Sequence, residues 1–324
     1  MVPTLVGITL ILFIVMRLAP GDPATVATGA MQTSVASGMT SDVNMEDAIT
    51  KFREKHHLDD PLLVQYGFWL SAVARLDFGN EFFRPNVSVR SELWERLKVT
   101  IPLSVTSVLL SYLLAIPLGI LSAVKKGSFT DKVSTAFVFL LYSLPTFWAG
   151  LMLILLFGAT GLDWFPVLGL HDKDAELLSR WGYIKDVLIH AVLPIATLTY
   201  GSLAYLSRQM RVGMLDVVRQ DFIRTARAKG LSEKVVIFKH ALRNSLIPVV
   251  TLFATILPYL IGGSVIVETI FTIPGMGLYG FQGLIQRDYN VVMATATMSA
   301  MMTLVGFLIS DALYAIVDPR IVYD

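Results

Sequence analysis

Apolar residues in this chain gather into long runs separated by compact polar blocks. Five runs, Ile101–Val124, Val133–Gly158, Val187–Ser207, Leu246–Val267 and Val291–Ile309, each approach the roughly 20 residues that an α-helix needs to cross bilayer hydrocarbon. A sixth, Val2–Met16, is shorter. It lacks the basic flank and the small-residue cleavage site of a secretory signal, so it reads as a retained first span. Pro102 and Pro248 fall near the expected first turns of their helices, where a missing N–H is harmless, and read as start signals. Pro117, Pro145, Pro194 and Pro258 lie inside spans, where the missing donor and the ring clash bend a helix.

The polar blocks set the orientation. Segment 208–243 carries nine basic residues (Arg208, Arg211, Arg219, Arg224, Arg227, Lys229, Lys234, Lys239 and Arg243) against three acidic ones (Asp216, Asp221 and Glu233). The Lys/Arg bias of loops places it in the cytoplasm. The turn 125–132, KKGSFTDK, is basic too and lies an even number of crossings away. Segment 20–99 holds eight basic against eleven acidic residues, and 159–186 three against five, so both are expected outside. The result is an all-α membrane protein of six helices with both termini inside. Its parts are a first helix at 1–19, an external segment at 20–99 and a membrane domain at 100–318. That domain holds helices at about 101–124, 133–158, 187–210, 246–267 and 291–316, a cytoplasmic elbow at 211–245, and a tail at 319–324.

Composition agrees: 54% of the 324 residues are hydrophobic and 16% charged, with a mean hydropathy of +0.64, too apolar for a soluble chain of this size. The net charge of +1 averages two faces. Cysteine is absent, so no disulfide staples the external segment. Within that segment, the Ser/Thr/Gly-rich stretch Ala27–Asn44 reads as an insertion. The basic residues follow from membrane topology, and no recognition motif for nucleic acid accompanies them.

The interiors of the five runs contain no Asp, Glu, Lys or Arg, and His190 stands near the start of one. Proton coupling needs a titratable relay at membrane depth, so the energy for any transport is expected from elsewhere. No Gly-Lys step exists for a phosphate-cradling loop, so ATP would have to be bound by another subunit. Thr197, Thr199, Tyr200, Tyr205, Thr251, Thr255, Thr295, Thr297 and Ser299 could line a passage, though bonding within or between helices is the commoner use. Gly262, Gly263 and Ser264 read as a close-packing element, not a catalytic serine. Glu268 is expected at the outer interface and Asp311 at the inner one. His56–His57 and His171, Asp172 and Asp174 suggest metal ligands but lack a convincing spacing, and are expected to be solvated loop with no metal.

The most informative block is DFIRTARAKGLSEKVVIFKHALRNSLIP, Asp221–Pro248. Asp221 is expected to cap a short helix, Gly230 to end it in the left-handed conformation, and Ser232 to cap a second. Phe222, Ile223, Ala226, Val236 and Leu242 are available to pack. Two short helices joined at a glycine make a docking elbow.

Within it, RTARAKG resembles the cytoplasmic loop of binding-protein-dependent ABC importer permeases, whose pattern is Glu-Ala-Ala, three residues, then Gly. Arg224 takes the Glu position, Thr225 and Ala226 the two alanines, and Gly230 the glycine. Further blocks resemble the dipeptide, oligopeptide and nickel branch: LAPGDP (Leu18–Pro23), LDDPLLVQYGFWL (Leu58–Leu70), LDFGNEF (Leu76–Phe82), HALRNSLIPVVT (His240–Thr251), GGSVIVETIFTIPGMG (Gly262–Gly277), RDYNVV (Arg287–Val292) and DALYAIVDPRI (Asp311–Ile321). The resemblance implies the type I importer permease fold in a bacterial or archaeal inner membrane. It also implies a second homologous permease, two ATPase subunits that carry ATP and Mg, and an external solute-binding protein. Asp221, Arg224, Thr225, Ala226, Gly230, Leu231 and Ser232 would then couple to the ATPase. Two departures stand out: Arg224 removes an acidic contact, and the proline arrives only at Pro248. Met1 begins almost inside the first run without the short basic leader such subunits carry, which leaves a start upstream open. The expected function is peptide or small-solute permeation without catalysis by this chain. The alternative is an ATPase-independent secondary transporter or channel.

Overall fold

A computed structural model describes residues 2–18, 21–22, 24–25, 28–29, 45–55, 57–158, 161–246, 260 and 262–317. The described residues are helical, joined by turns and one isolated β-bridge between Asn80 and Ser88. Most of the expected span Leu246–Val267, with Pro248, Thr251, Thr255 and Pro258, lies outside them, as do His56 and most of Ala27–Asn44. Of Asp311 only the backbone is described.

The chain divides into two compact units, the first comprising Met1–Thr100, Ile261–Val265 and Pro274–Leu304. Here α1 (Val2–Leu18) lies against α3 (Leu62–Val73), and α2 (Met45–Lys55) precedes α3 in the chain. Phe13 meets Tyr66 edge-on at 5.6 Å, and the Tyr66 hydroxyl lies 2.9 Å from Thr9 Oγ1. Next, α4 (Val89–Val124) begins twelve residues before the expected Ile101. Hydropathy hides this extension because its first three turns are amphipathic. Val89, Leu93 and Leu97 recur every four residues and pack on Met276, Tyr279 and Val291, while Glu92 pairs with Arg96. Pro102 therefore sits in the helix interior, not in its first turn.

Family-like blocks meet in this unit. Tyr279 Oη donates to Glu81 at 2.8 Å, and Arg84 grips the same carboxylate at 2.6 and 2.7 Å. Arg287, with φ +57°, ends α12 (Met276–Gln286) in the left-handed region. Asp288 then caps α13 (Tyr289–Val317), accepting from Val291 N at 3.2 Å and from Phe82 N at 2.6 Å. Burial and the neighbouring Glu81 push the Asp288 carboxyl above its ordinary range, against the pull of its backbone donors.

The second unit comprises Ile101–Leu260, Ile266–Ile273 and Val305–Asp324. The expected span 133–158, in which Pro145 is expected to bend the helix, is two helices, α5 (Phe129–Ser143) and α6 (Thr146–Phe157), bent by 102°. Pro145 bars Leu144 from the helical region, and Leu144 stands at φ −82°, ψ 128°. Its freed carbonyl accepts from Tyr200 Oη at 2.9 Å. After a loop comes α7 (Arg180–Val218), 39 residues and roughly 58 Å long at 1.5 Å per residue, about twice the hydrocarbon thickness. It passes α4 closely at Gly119, where an added Cβ would stand 2.6 Å from Met210 Cβ and 2.8 Å from Ser207 O. Thr199 and Ser111 hydroxyls bond across the same pair of helices.

Counted by length and composition among the described residues, three continuous helices, α4, α7 and α13, and the bent α5–α6 pair are long and apolar enough to span. α1 is shorter, as its sequence indicated. Outward-facing Leu109, Leu113, Phe139, Leu140, Leu156 and Leu188 are exposed, as lipid contact requires.

One expectation changes here and two gain detail. Among the described residues nothing comes within 4 Å of a Cβ at Gly262, and Gly263 has φ +68°, so the glycine pair reads as a turn and not as a packing seam. Glu268, in α11 (Val265–Ile270), is buried, 4% exposed. The hydroxyls of Thr197, Thr295 and Ser299 bond back to their own helix, while Thr297 is wholly buried.

Candidate functional site

The elbow follows directly from the end of α7. Arg219 closes that helix, and after Gln220 the chain starts α8 (Asp221–Ala228). Gln220 takes the cap position without a side-chain bond, so Asp221 is the first helical residue and not the cap. There it still favours the helix N-terminus as a negative charge, and its exposed carboxylate accepts from Arg224 Nη1 at 3.2 Å. Thr225 Oγ1 donates to Asp221 O at 3.0 Å.

Gly230 ends α8 as expected, at φ +75°. Leu231 N donates to Ala226 O at 3.4 Å and Gly230 N to Arg227 O at 2.9 Å. This is the paired 6→1 and 5→2 arrangement that a left-handed residue after a helix makes possible. Ser232 has the extended backbone of a cap but no side-chain cap bond. Three short stretches continue from it, α9 (Glu233–Val235), a π turn (Val236–Ala241) and α10 (Leu242–Ser245). Across the bend, Arg227 holds Glu233 with two bonds of 2.7 and 3.2 Å. The carboxyl is lowered and the guanidinium raised by that mutual bond. Both side chains are about half exposed, so the pair sets an angle more than it adds stability.

The inner face of the elbow belongs to the unit's main core. Ile223, Ala226, Val236, Ile237 and Ala241 are buried in one cluster with Ala115, Ile120, Leu206, Met210 and Met214 of α4 and α7. Ser245 Oγ donates to Met214 Sδ at 2.9 Å, and Gly213 lets the Ser245 carbonyl come within 3.0 Å of where a Cβ would be. The outer face shows Arg224, Thr225, Lys229, Gly230, Leu231 and Ser232, with Phe222, Val235 and Phe238 among them; Phe238 is 61% exposed. Of the residues singled out in the sequence, only Ala226 faces inward, and Asp221, Arg224, Thr225, Gly230, Leu231 and Ser232 share the accessible side.

Sequence reasoning missed the lock beside the elbow. Arg211 of α7 donates to Asp131 at 3.0 and 3.1 Å, Ser122 Oγ donates to the same carboxylate and accepts from Arg211 Nε at 2.8 Å, and Gly127 N adds a bond at 2.9 Å. Arg211, Ser122 and Gly127 thus converge on a carboxylate that is buried, so its charge is partnered where it stands. A signal existed in Ser128-Phe-Thr-Asp131, the spacing of an N-terminal box: Ser128 Oγ accepts from Asp131 N at 3.3 Å. Next to it opens a cavity of about 460 Å³ lined by Gly119, Ser134, Tyr142, Ser207, Arg208 and Arg211.

The suspected ligands separate. His57 is exposed, 3.0 Å from Asp60 and stacked on Phe68. Of His171, Asp172 and Asp174, only Asp172 joins a cluster, with Asp186 and His190.

Apolar helices long enough to span, a built and exposed elbow packed on two of them, and a sequence without a nucleotide loop fit a polytopic membrane permease. The family model for the inner membrane component of binding-protein-dependent transport systems matches residues 115–323. The chain is 42% identical to the oligopeptide transport system permease protein AppB of Bacillus subtilis (strain 168), covering 99% of this chain and 96% of that protein. It is 34% identical to the dipeptide transport system permease protein DppB of Alkalihalophilus pseudofirmus, over 100% and 97%. A solved structure of the MetNI methionine ABC transporter, facing inward, superposes with a TM-score of 0.55 at 18% identity, over 70% of this chain and 96% of that one. This chain belongs to the family of binding-protein-dependent transport system inner membrane components. It is the permease subunit of an ATP-driven importer, a multi-pass protein of the bacterial inner membrane.

Proposed function

We propose that this chain forms one half of a peptide translocation pathway and that its elbow is gripped by an ATPase subunit on the cytoplasmic side. The observation that carries the coupling is the shared core. Because Ile223, Ala226 and Val236 are buried with Met210, Met214 and Ile120, a force on the elbow moves the inner ends of α4 and α7 as a body, since a packed core does not deform continuously. The exposed face, apolar at Leu231, Val235 and Phe238 and cationic at Arg224, Lys229 and Lys234, suits an apolar groove with an acidic rim. ATP and Mg²⁺ reside on two partner ATPases, whose closure on nucleotide supplies the differential contact that a two-state switch requires. A second homologous permease completes the pathway, and an external binding protein delivers the solute. Segment 20–99 faces outside, and both termini face the cytoplasm.

Peptide as the solute is supported by the names of the relatives, an oligopeptide and a dipeptide permease. The test is purification of the tagged chain from its native membrane in mild detergent, followed by reconstitution. Co-purification of ATPase chains and a second permease, with ATP-dependent uptake of labelled peptides, supports the proposal. Uptake by the chain alone, driven by an ion gradient, overturns it in favour of a secondary transporter.

A further inference from the structure

At the end of α7 remote from the elbow, Asp186 and His190 lie one turn apart, and the preceding loop brings Asp172 over them. One potential ligand atom from each residue lies within 4.8 Å of the others. The His190 ring is almost wholly buried, with 2% of its side chain exposed, while Asp172 is 74% exposed and Asp186 13%. Asp172 is tied down by its backbone, whose N–H donates to Asp186 Oδ2 at 2.9 Å.

The imidazole orientation is chemically informative. His190 Nδ1 lies 2.9 Å from the Asp186 backbone carbonyl. A carbonyl only accepts, so Nδ1 donates on that side, where Asp186 Oδ1 also stands 3.3 Å away. Nε2 is turned to Asp172 Oδ1, 3.6 Å away. A nitrogen and a carboxylate oxygen at that separation leave room for a cation between them. A shared proton would draw N and O to about 2.8 Å, whereas 3.6 Å suits two ligands on one ion at roughly 2.1 Å from each, with an angle of about 120°.

We propose that Asp172, Asp186 and His190 form a binding site for a divalent transition-metal ion of the zinc type. Imidazole with two carboxylates is a borderline donor set that favours such ions over calcium or magnesium, which take oxygen ligands. The Nδ1 bond to the Asp186 carbonyl is the kind of outer contact that fixes a ligating histidine. Exposed Asp172 gives the ion a route in, and water completes the coordination. The loop carrying Asp172 also donates Gly169 N to Phe271 O at 2.8 Å. A bound ion would clamp this loop to the helix whose other end, roughly 44 Å away from His190, carries the elbow.

The test is calorimetric titration of the purified full complex with Zn²⁺ alone in metal-free buffer, using wild type, Asp172→Asn and His190→Gln, with Co²⁺ absorption as a second readout. One Zn²⁺ per chain is expected, weakened at least about tenfold in both variants, with tetrahedral Co²⁺ bands lost in parallel. Asp172→Asn decides the matter, because an exposed side chain can change without unfolding the protein. Unchanged zinc affinity in that variant, or no stoichiometric binding by wild type, overturns the site. Neither result bears on peptide transport, which is measured separately.

Discussion

Gly230 has φ +75° and open space around the position of a Cβ. A Cβ there meets nothing, so the main penalty of valine is the left-handed backbone, roughly 1–2 kcal/mol. Gly230→Val should therefore insert and assemble normally yet lose ATP-dependent uptake; normal uptake at normal expression would remove the elbow from the mechanism. Asp131 makes a different prediction. Asp131→Asn leaves Arg211 short of an ionic partner in a half-buried place and should cost about 1–3 kcal/mol, read as a lower melting temperature of the complex. Gly119→Ala would push a methyl against the Ser207 carbonyl and Met210, costing about 1–3 kcal/mol, and the same melting assay should show it.

At the scale of elements, the most instructive difference is the broken span at Pro145. Hydropathy reads Val133–Gly158 as one helix because apolar content is blind to direction, while the proline and its effect on Leu144 turn the chain by 102°. Two features hold the break, the ring of Pro145 and the Tyr200 bond to Leu144 O. Removing both, in Pro145→Ala with Tyr200→Phe, should lengthen the spin-label distance between positions 137 and 152 toward the roughly 22 Å of a straight helix. An unchanged distance would mean that packing alone sets the bend. The elbow was more legible: its turn glycine and amphipathic face are local features, and Gly230, Ile223, Ala226 and Val236 behave as their pattern indicated. The Asp221 cap was not, because an acidic residue serves equally well one position into the helix. Arg211–Asp131 and the trio at His190 were illegible for a further reason. They join residues 80 apart, or a loop to a helix face, and no spacing rule reaches that far.

For the whole molecule, membrane class, helical fold and family could be read from apolar runs and ordered sequence blocks, and the family model and full-length relatives agree. The tertiary placement of those blocks could not. LDFGNEF and RDYNVV, far apart in the chain, meet through the bond from Phe82 N to Asp288 and the one from Asn290 Nδ2 to Asn80 O. In the second unit the elbow is continuous with the core of α4 and α7, and on the proposed reading it is the part through which work done by the ATPases enters the membrane helices. The absence of cysteine from the sequence makes this directly measurable: single cysteines at Lys229 and at Phe238 in the assembled importer, treated with a short bifunctional crosslinker. A crosslink to an ATPase chain is expected from both positions, with a yield that changes between nucleotide-free and ATP-trapped states. No ATPase adduct from either position, in a complex that still transports peptide on ATP, would contradict it.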